Sequence, residues 1–443
     1  MILPPQSPPK VRKQLSADAL HALVQSAFRE IPDDRTGPTI PLPDALMSAL
    51  AMFSLKDPSL LAFQDRRYDE NMKQLFLIGT VPSDTSMREI LDLVDPSALR
   101  PVFSDIFRQL QRGKALEPFV FYKGSYLLSL DGTGYFSSQS IHCDCCMQKV
   151  NKTTGDITYY HQMLGAVLLH PDRREVIPFA PEPIQKQDGT TKNDCERNAA
   201  KRLLQQVRQE HPRLKLTVVE DGLASNAPHI RELMKLDMRY ILGVKPGDHA
   251  FLYDYVETAY DRNEMTFIPW QEGEVWCEIG FLNGVPLNDS NQDLLVNYLE
   301  YCEYDLQGKL IRRFSWITDL KLTKQNASLF VRGGRARWKI ENETFNTLKN
   351  QGYHFEHNFG HGKHNLSVVF SMMMMLAFLI DQVQQLCCPL FRAVLKKVGS
   401  TKRLWERIRT HFWHFQLKSM RQLHEAILYD LGKEVPLPTP DTS

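Results

Sequence analysis

Three carboxylates stand where chemistry could be done. Asp131 closes the apolar run YLLSL before Gly132-Thr133-Gly134, Asp221 closes LKLTVVE before Gly222, and Glu341 lies inside GRARWKIENETFNTLK. Brought together, three such groups supply hard oxygen donors for a pair of divalent cations about 3.5–4 Å apart. That arrangement activates an attacking oxygen and stabilises a leaving one in phosphoryl transfer. The glycines beside Asp131 would let a bulky substrate backbone come close. Each acid alone says little, because the chain has 52 Asp and Glu and most acids are solvated surface.

Neighbouring residues narrow the choice. Successive strand side chains point to opposite faces, so Glu220 and Asp221 cannot both serve one site, and Asp221, last before the glycine, is the better ligand. On a helix Arg337 and Glu341, four apart, share a face beside an apolar stripe of Trp338, Phe345 and Leu348. Arg332, Arg335, Lys339 and Lys349 make the segment strongly basic. An amphipathic helix with ion pairs one turn apart would carry the same residues. Glu343 is the rival third acid, but it breaks the Arg337 spacing and sets Lys349 about 120° away around a helix.

Other clusters are less complete. His142-Cys143-Asp144-Cys145-Cys146 holds a Cys-x-x-Cys pair, and a structural zinc site needs four ligands. His161 is a candidate third; without a second such pair, free thiols are the simpler reading and zinc the alternative. His354, His357, His361 and His364 recur at helical steps, but Gly360 and Gly362 interrupt them, so a loop with phosphate or solvent contacts is expected, with metal binding the lesser alternative. From Phe391 to Met420 eight Lys or Arg face the single acid Glu406, with Trp405, Phe412, Trp413 and Phe415 interleaved. Such a segment suits a DNA backbone in a salt-dependent way, or a solvated basic helix whose aromatics enter a core.

The elements that must position the acids follow from the apolar pattern. YLLSL, HQMLGAVLL and EVIPFA read as strands, a helix starts at Asn193, and LKLTVVE is a strand. A helix from Ser225 and the strand RYILGVK complete the series. This order predicts an α/β fold of the ribonuclease H-like kind, in which the first and fourth strands lie side by side. Crevices at strand ends of such sheets are where ligands bind. Alternating runs such as EVWCEIGF, with hairpin signals at Asn283-Gly284 and Gln307-Gly308, make the next stretch β-rich. A helix is expected near Lys321, broken at Gly333-Gly334 and resuming through Glu341.

The proline-rich lead PPQSPPK, Arg12 and Lys13 precede helical patterns such as LSADALHALVQSAF, with Ser16 placed to cap. The resulting partition is a helical DNA-binding region 1–118, a core in two parts, 119–246 and 318–385, a β-rich insertion 247–317, and a basic helical tail 386–443. Net charge is only +1, so contact with a polyanion must come from local patches. Eight cysteines and no evident leader point to a reducing cytoplasm with free thiols. The uncharged stretch Leu366 to Ile380 is short of the roughly 20 residues a membrane crossing needs, so a buried helix and no membrane association are expected.

Taken together, SLDGTG, VVEDG and GRARWKIENETFNTLK after a β-rich insertion resemble the DDE transposases of bacterial insertion sequences. The likeness is to the group with a Tyr-x-x-Arg-x-x-x-Glu-x6-Lys signature and covers roughly residues 120–380. Arg337, Trp338 and Glu341 match its R-W-x-x-E core, whereas Gly334 stands at the tyrosine position and Lys349 comes one residue late. The resemblance implies that Asp131, Asp221 and Glu341 are catalytic and bind two Mg²⁺ (or Mn²⁺) ions. It places Arg335, Arg337, Trp338 and Lys349 on DNA. It further implies double-stranded element ends and target DNA as partners, a homo-oligomer in the synaptic complex and a nucleoid-associated location. A ribonuclease H-like nuclease that cuts without strand transfer is the alternative.

Overall fold

The structure, a computed structural model, describes residues 13–185 and 195–431. The proline-rich lead, Arg12 and the expected helix start at Asn193 lie outside the described residues. The chain divides into two compact units: Met1–Leu116 with Gly134–His161 and Asn346–Ser443, and Glu117–Thr133 with Gln162–Phe345.

The protein is mixed α/β, built on a twelve-stranded mixed sheet. In chain order the strands are β1 (Val120–Tyr122), β2 (Ser125–Ser138), β3 (Met147–Val150), β4 (Ile157–Leu169), β5 (Ile177–Pro178) and β6 (Glu182–Ile184). They continue with β7 (Leu216–Glu220), β8 (Arg239–Gly243), β9 (Thr266–Glu272), β10 (Val275–Pro286), β11 (Leu295–Tyr304) and β12 (Leu310–Thr318). Their spatial order is β3-β4-β2-β7-β8-β12-β11-β10-β9, with β1 on β2 and both β5 and β6 on β4. β2 pairs parallel with β7, and β7 with β8. All five residues of β7 are buried, as a central parallel strand covered on both faces requires.

Several sequence expectations change here. β2 runs for 14 residues, so Asp131 lies within a strand rather than at its end. Gly132 and Gly134 continue the extended chain instead of turning it; neither has a positive φ. EVIPFA yields only the two-residue β5, which ends at Pro178, a residue without the N–H that a ladder needs. Gly284 (φ 76°) sits inside β10 at a register irregularity between Leu282 and Val285, so Asn283-Gly284 marks a bulge and not a hairpin. The β9–β10 hairpin turns at Gly273 (φ 62°), whereas Gly308 (φ 78°) does lie between β11 and β12 as its sequence signal suggested. β12 pairs with β8, so the β-rich stretch extends the sheet edge to edge.

The helix expected from Lys321 begins at Ala327 and runs to Arg335. It stops one residue past Gly334, with Ala336 and Arg337 in a turn, so the expected interruption falls just beyond the two glycines. They are buried, and an added Cβ would lie 2.6 Å from the Phe121 ring and 2.5 Å from the Trp316 indole respectively. The chain resumes helix at Trp338 and enters a π-helical stretch, Ile340–Phe345.

The first unit is largely helical. Ser16 caps Ala17–Arg29 by accepting from the Ala19 N–H at 3.3 Å. Its central helix, Leu366–Cys387, is 22 residues long and apolar enough to cross a membrane by composition, yet it is almost wholly buried within the protein. Asp381 in that helix meets the fully buried ammonium of Lys56 and accepts from Tyr353 Oη at 2.6 Å. A buried charge needs such partners. In the basic tail Phe391, Trp405 and Phe412 are core residues and Trp413 is exposed. Arg409 donates to the carbonyls of Leu55 and Lys56 at 3.1 and 3.0 Å. Much of that segment's aromatic and basic character therefore serves packing.

Candidate active site

Register places the first two acids. β2 and β7 pair in parallel from Tyr126↔Leu216 to Ser129↔Val219. Asp131 and Asp221 each lie two residues beyond the last pair, on adjacent chains about 4.8 Å apart and on the same side of the sheet. Asp221 follows β7 directly and accepts from the Leu223 N–H at 3.0 Å, closing a short turn, Gly222–Ala224. Asp131 accepts from the Gly132 N–H at 3.0 Å.

The opposite parity holds Glu220. Its carboxylate meets His229 Nε2 at 2.6 Å, both side chains being nearly buried. Burial alone would lower the His229 pKa, but the charge and hydrogen bond of Glu220 outweigh it and raise the pKa. Glu220 is thus committed to an ion pair on the other face of the strand.

The third acid rides on the π-helical stretch. Ile340 and Phe345 are buried and anchor it. The Phe345 ring presses on Gly165 of β4, where a Cβ would lie 2.9 Å away, so only glycine lets the segment settle this close. The Asp131 pKa is raised, first by burial; Arg337 opposes this, and the charges of Asp221 and Glu341 add to it. Glu341 and Asp221 are therefore electrostatic neighbours of Asp131. Glu343 instead pairs with Arg174 at 3.2 Å.

A fourth carboxylate, absent from the sequence reading, joins them. Glu196 opens the helix Glu196–Glu210, and a Cβ on Gly132 would lie 2.2 Å from its Oε1. Burial and then the charges of Asp131 and Asp221 raise its pKa. Its only sequence signal is an acid in a helix's first turn, which the helix dipole favours everywhere.

The basic residues part company with expectation. Arg337 pairs with Asp131 at 3.4 Å and not with Glu341, because the turn between them is not a regular α-turn. Its guanidinium also lies over the exposed Trp338 ring, 5.1 Å from the centroid. Arg335 rests over Tyr301 and Phe314 at 5.6 and 5.4 Å. Lys349 belongs to the first unit, where it pairs with Glu356 at 2.9 Å. The signature's tyrosine could not stand at Gly334, given the Trp316 indole against it. The extra residue before Lys349 falls along a stretch that includes the π-helix, whose turns hold one residue more than α-turns.

These carboxylates fit hard cations in kind: oxygen donors, partly exposed, with burial and like charge working against ionisation of Asp131 and Glu196. Among the described residues the group whose ligand atoms gather within 4.8 Å is a Cys/His set elsewhere, and not these acids. The histidine run contributes nothing here. It is a loop, and its His361 lies beside Cys143, Cys146 and His161 in the first unit. Comparison of the chain with protein-family models and with curated proteins gives no match.

Proposed function

We propose that the protein is a transposase of the DDE kind, with a ribonuclease H-like core and a β-rich insertion, acting on double-stranded DNA. The observation that carries this is the parallel register of β2 and β7, which sets Asp131 beside Asp221, with Glu341 of the R-W-x-x-E segment close enough to influence Asp131. The order β5/β6, β4, β2, β7, β8 supports the core assignment, since the first and fourth core strands are neighbours.

Asp131, Asp221 and Glu341 would hold two Mg²⁺ (or Mn²⁺) ions. When bound, such ions lower the pKa of an attacking water or 3′-hydroxyl and neutralise charge on the phosphate. The chain's own groups do the rest. Gly132 carries no side chain and so lets the Glu196 carboxylate come up beside Asp131. Arg337, held by Asp131 in the free protein, is placed to turn to a phosphate oxygen once cations compete for that carboxylate. Trp338 offers an exposed ring for stacking, and Arg335, over Tyr301 and Phe314, is exposed as well. Glu196 adds a fourth oxygen donor. The working form would be a homo-oligomer bridging two DNA ends, associated with the nucleoid.

The test uses purified protein, Mg²⁺ and DNA carrying the sequences that flank its gene. Cleavage followed by joining of the freed 3′-hydroxyl to a second duplex is expected. Cleavage that never proceeds to joining makes the protein a ribonuclease H-like nuclease, and no Mg²⁺-dependent cleavage of any DNA sinks both readings.

A further inference from the structure

Four side chains in the first unit converge on a point from three separate stretches of chain. Cys143 and Cys146 come from one turn, His161 from β4 and His361 from the loop ahead of helix Leu366–Cys387. All four are buried, and their ligand atoms lie within 4.8 Å of one another. The sulfurs are 3.8 Å apart. Nε2 of His161 lies 3.3 Å from Cys143 Sγ and 3.4 Å from Cys146 Sγ, and Nε2 of His361 lies 3.2 Å from Cys146 Sγ.

We propose that Cys143, Cys146, His161 and His361 form a closed structural zinc site. Tetrahedral Zn²⁺ with Zn–S near 2.3 Å and Zn–N near 2.05 Å sets its sulfurs about 3.8 Å apart and each sulfur about 3.5 Å from each nitrogen. The observed edges match the first figure and fall within a few tenths of an ångström of the second. A disulfide is excluded by the sulfur separation, which far exceeds a bond of about 2.05 Å. Thiol hydrogen bonds alone would serve these contacts weakly, since sulfur is a poor donor and acceptor. Both imidazoles turn Nε2 inward and leave Nδ1 buried without a partner among the described residues, so their polar contacts are all made to the cluster.

Charge and second contacts agree with this. Binding releases the two thiol protons, and two thiolates with Zn²⁺ and two neutral imidazoles sum to zero, the balance a buried site needs. The Cys143 N–H donates to Cys146 Sγ at 3.4 Å, a contact that favours thiolate. Tyr135 stacks on His161 with centroids 5.6 Å apart, and Phe136 packs on His361 at 4.2 Å, so rings wall the site. The loop is fixed a second time, independently. Asp92 accepts from the backbone N–H groups of Lys363, His364, Asn365 and Leu366 at 2.9–3.0 Å, and Asp144 N–H donates to the Lys363 carbonyl at 3.1 Å. The ion would therefore staple a turn, a strand and a loop together, with no open position for substrate.

The full chain, purified from zinc-supplemented cells without chelator, should carry about one zinc by elemental analysis. Cys145→Ser should keep that equivalent, because Cys145 lies outside the group, whereas Cys146→Ser and His361→Ala should lose most of it. Should those variants fail to fold, cobalt(II) exchanged into the wild-type protein must show thiolate charge-transfer absorption and the intense visible bands of a tetrahedral site. Folded wild-type protein without zinc, full zinc in Cys146→Ser, or weak octahedral cobalt bands would each overturn the proposal.

Discussion

The two ligand clusters differ in nearly every physical respect. In the second unit four carboxylates are partly exposed, burial and like charge raise the pKa of Asp131 and Glu196, and Asp131 meets the Arg337 guanidinium. In the first, two sulfurs and two nitrogens are buried and already close to tetrahedral spacing. Under the proposed function the open oxygen donors would exchange ions and admit a substrate, whereas the buried sulfur and nitrogen donors would hold an ion for the life of the fold. The contrast teaches that donor type has to be read together with burial before either cluster is given a role.

The comparison breaks most readily at the acids. Asp131→Asn, Asp221→Asn and Glu341→Gln should each cut Mg²⁺-dependent cleavage by more than about 100-fold, since even outer-shell losses cost 10–100-fold. DNA binding measured by gel shift should persist; cleavage at the wild-type rate in any variant removes that residue. Stripping metal should then separate the clusters. A mild chelator that removes Mg²⁺ should stop cleavage reversibly with little change in melting temperature. Removal of zinc by a thiol-competing chelator should lower the melting temperature by more than about 4 °C, a loss of over 1 kcal/mol in a unit of this size. Equal melting with and without zinc would make the Cys/His group passive.

Gly334→Tyr tests whether the absent tyrosine is merely a lost contact. With the Trp316 indole 2.5 Å from the position of an added Cβ, denaturant titration should show a loss of at least about 1–3 kcal/mol and no gain in DNA affinity. Unchanged stability would mean that the helix has room to spare. The smallest effect concerns the far face of β7. The His229 pKa is raised above its usual value of about 6.5, so its contribution is fully present below that pH and fades as pH rises through the folded value. His229→Gln should flatten the decline of stability over that window, and an unchanged pH slope would show the Glu220 pair to be inert.

Parts of the site were readable in the chain because they are local. The apolar runs ending at Asp131 and Asp221, and the parity that separates Asp221 from Glu220, follow from a two-residue period. The Cys143–Cys146 spacing likewise announced a turn able to present two sulfurs. The place of Glu196 among the acids was not readable, since it looks like an ordinary first-turn acid, and the histidine run gave no sign that His361 would meet a sulfur 215 residues away. Gly333-Gly334 marked the interruption of the helix to within a residue or two, but not why both are glycine: rings from elsewhere pack against them.

By itself, then, the sequence determined which segments would be strands or helices and which acids could face outward together, because side-chain period and turn chemistry act over a few residues. Tertiary structure decided which strands became neighbours and in what register, how a π-helical stretch aims Glu341, and which histidines complete a pair of cysteines. Those outcomes depend on burying whole faces at once, and no short window of residues contains the surfaces that must fit.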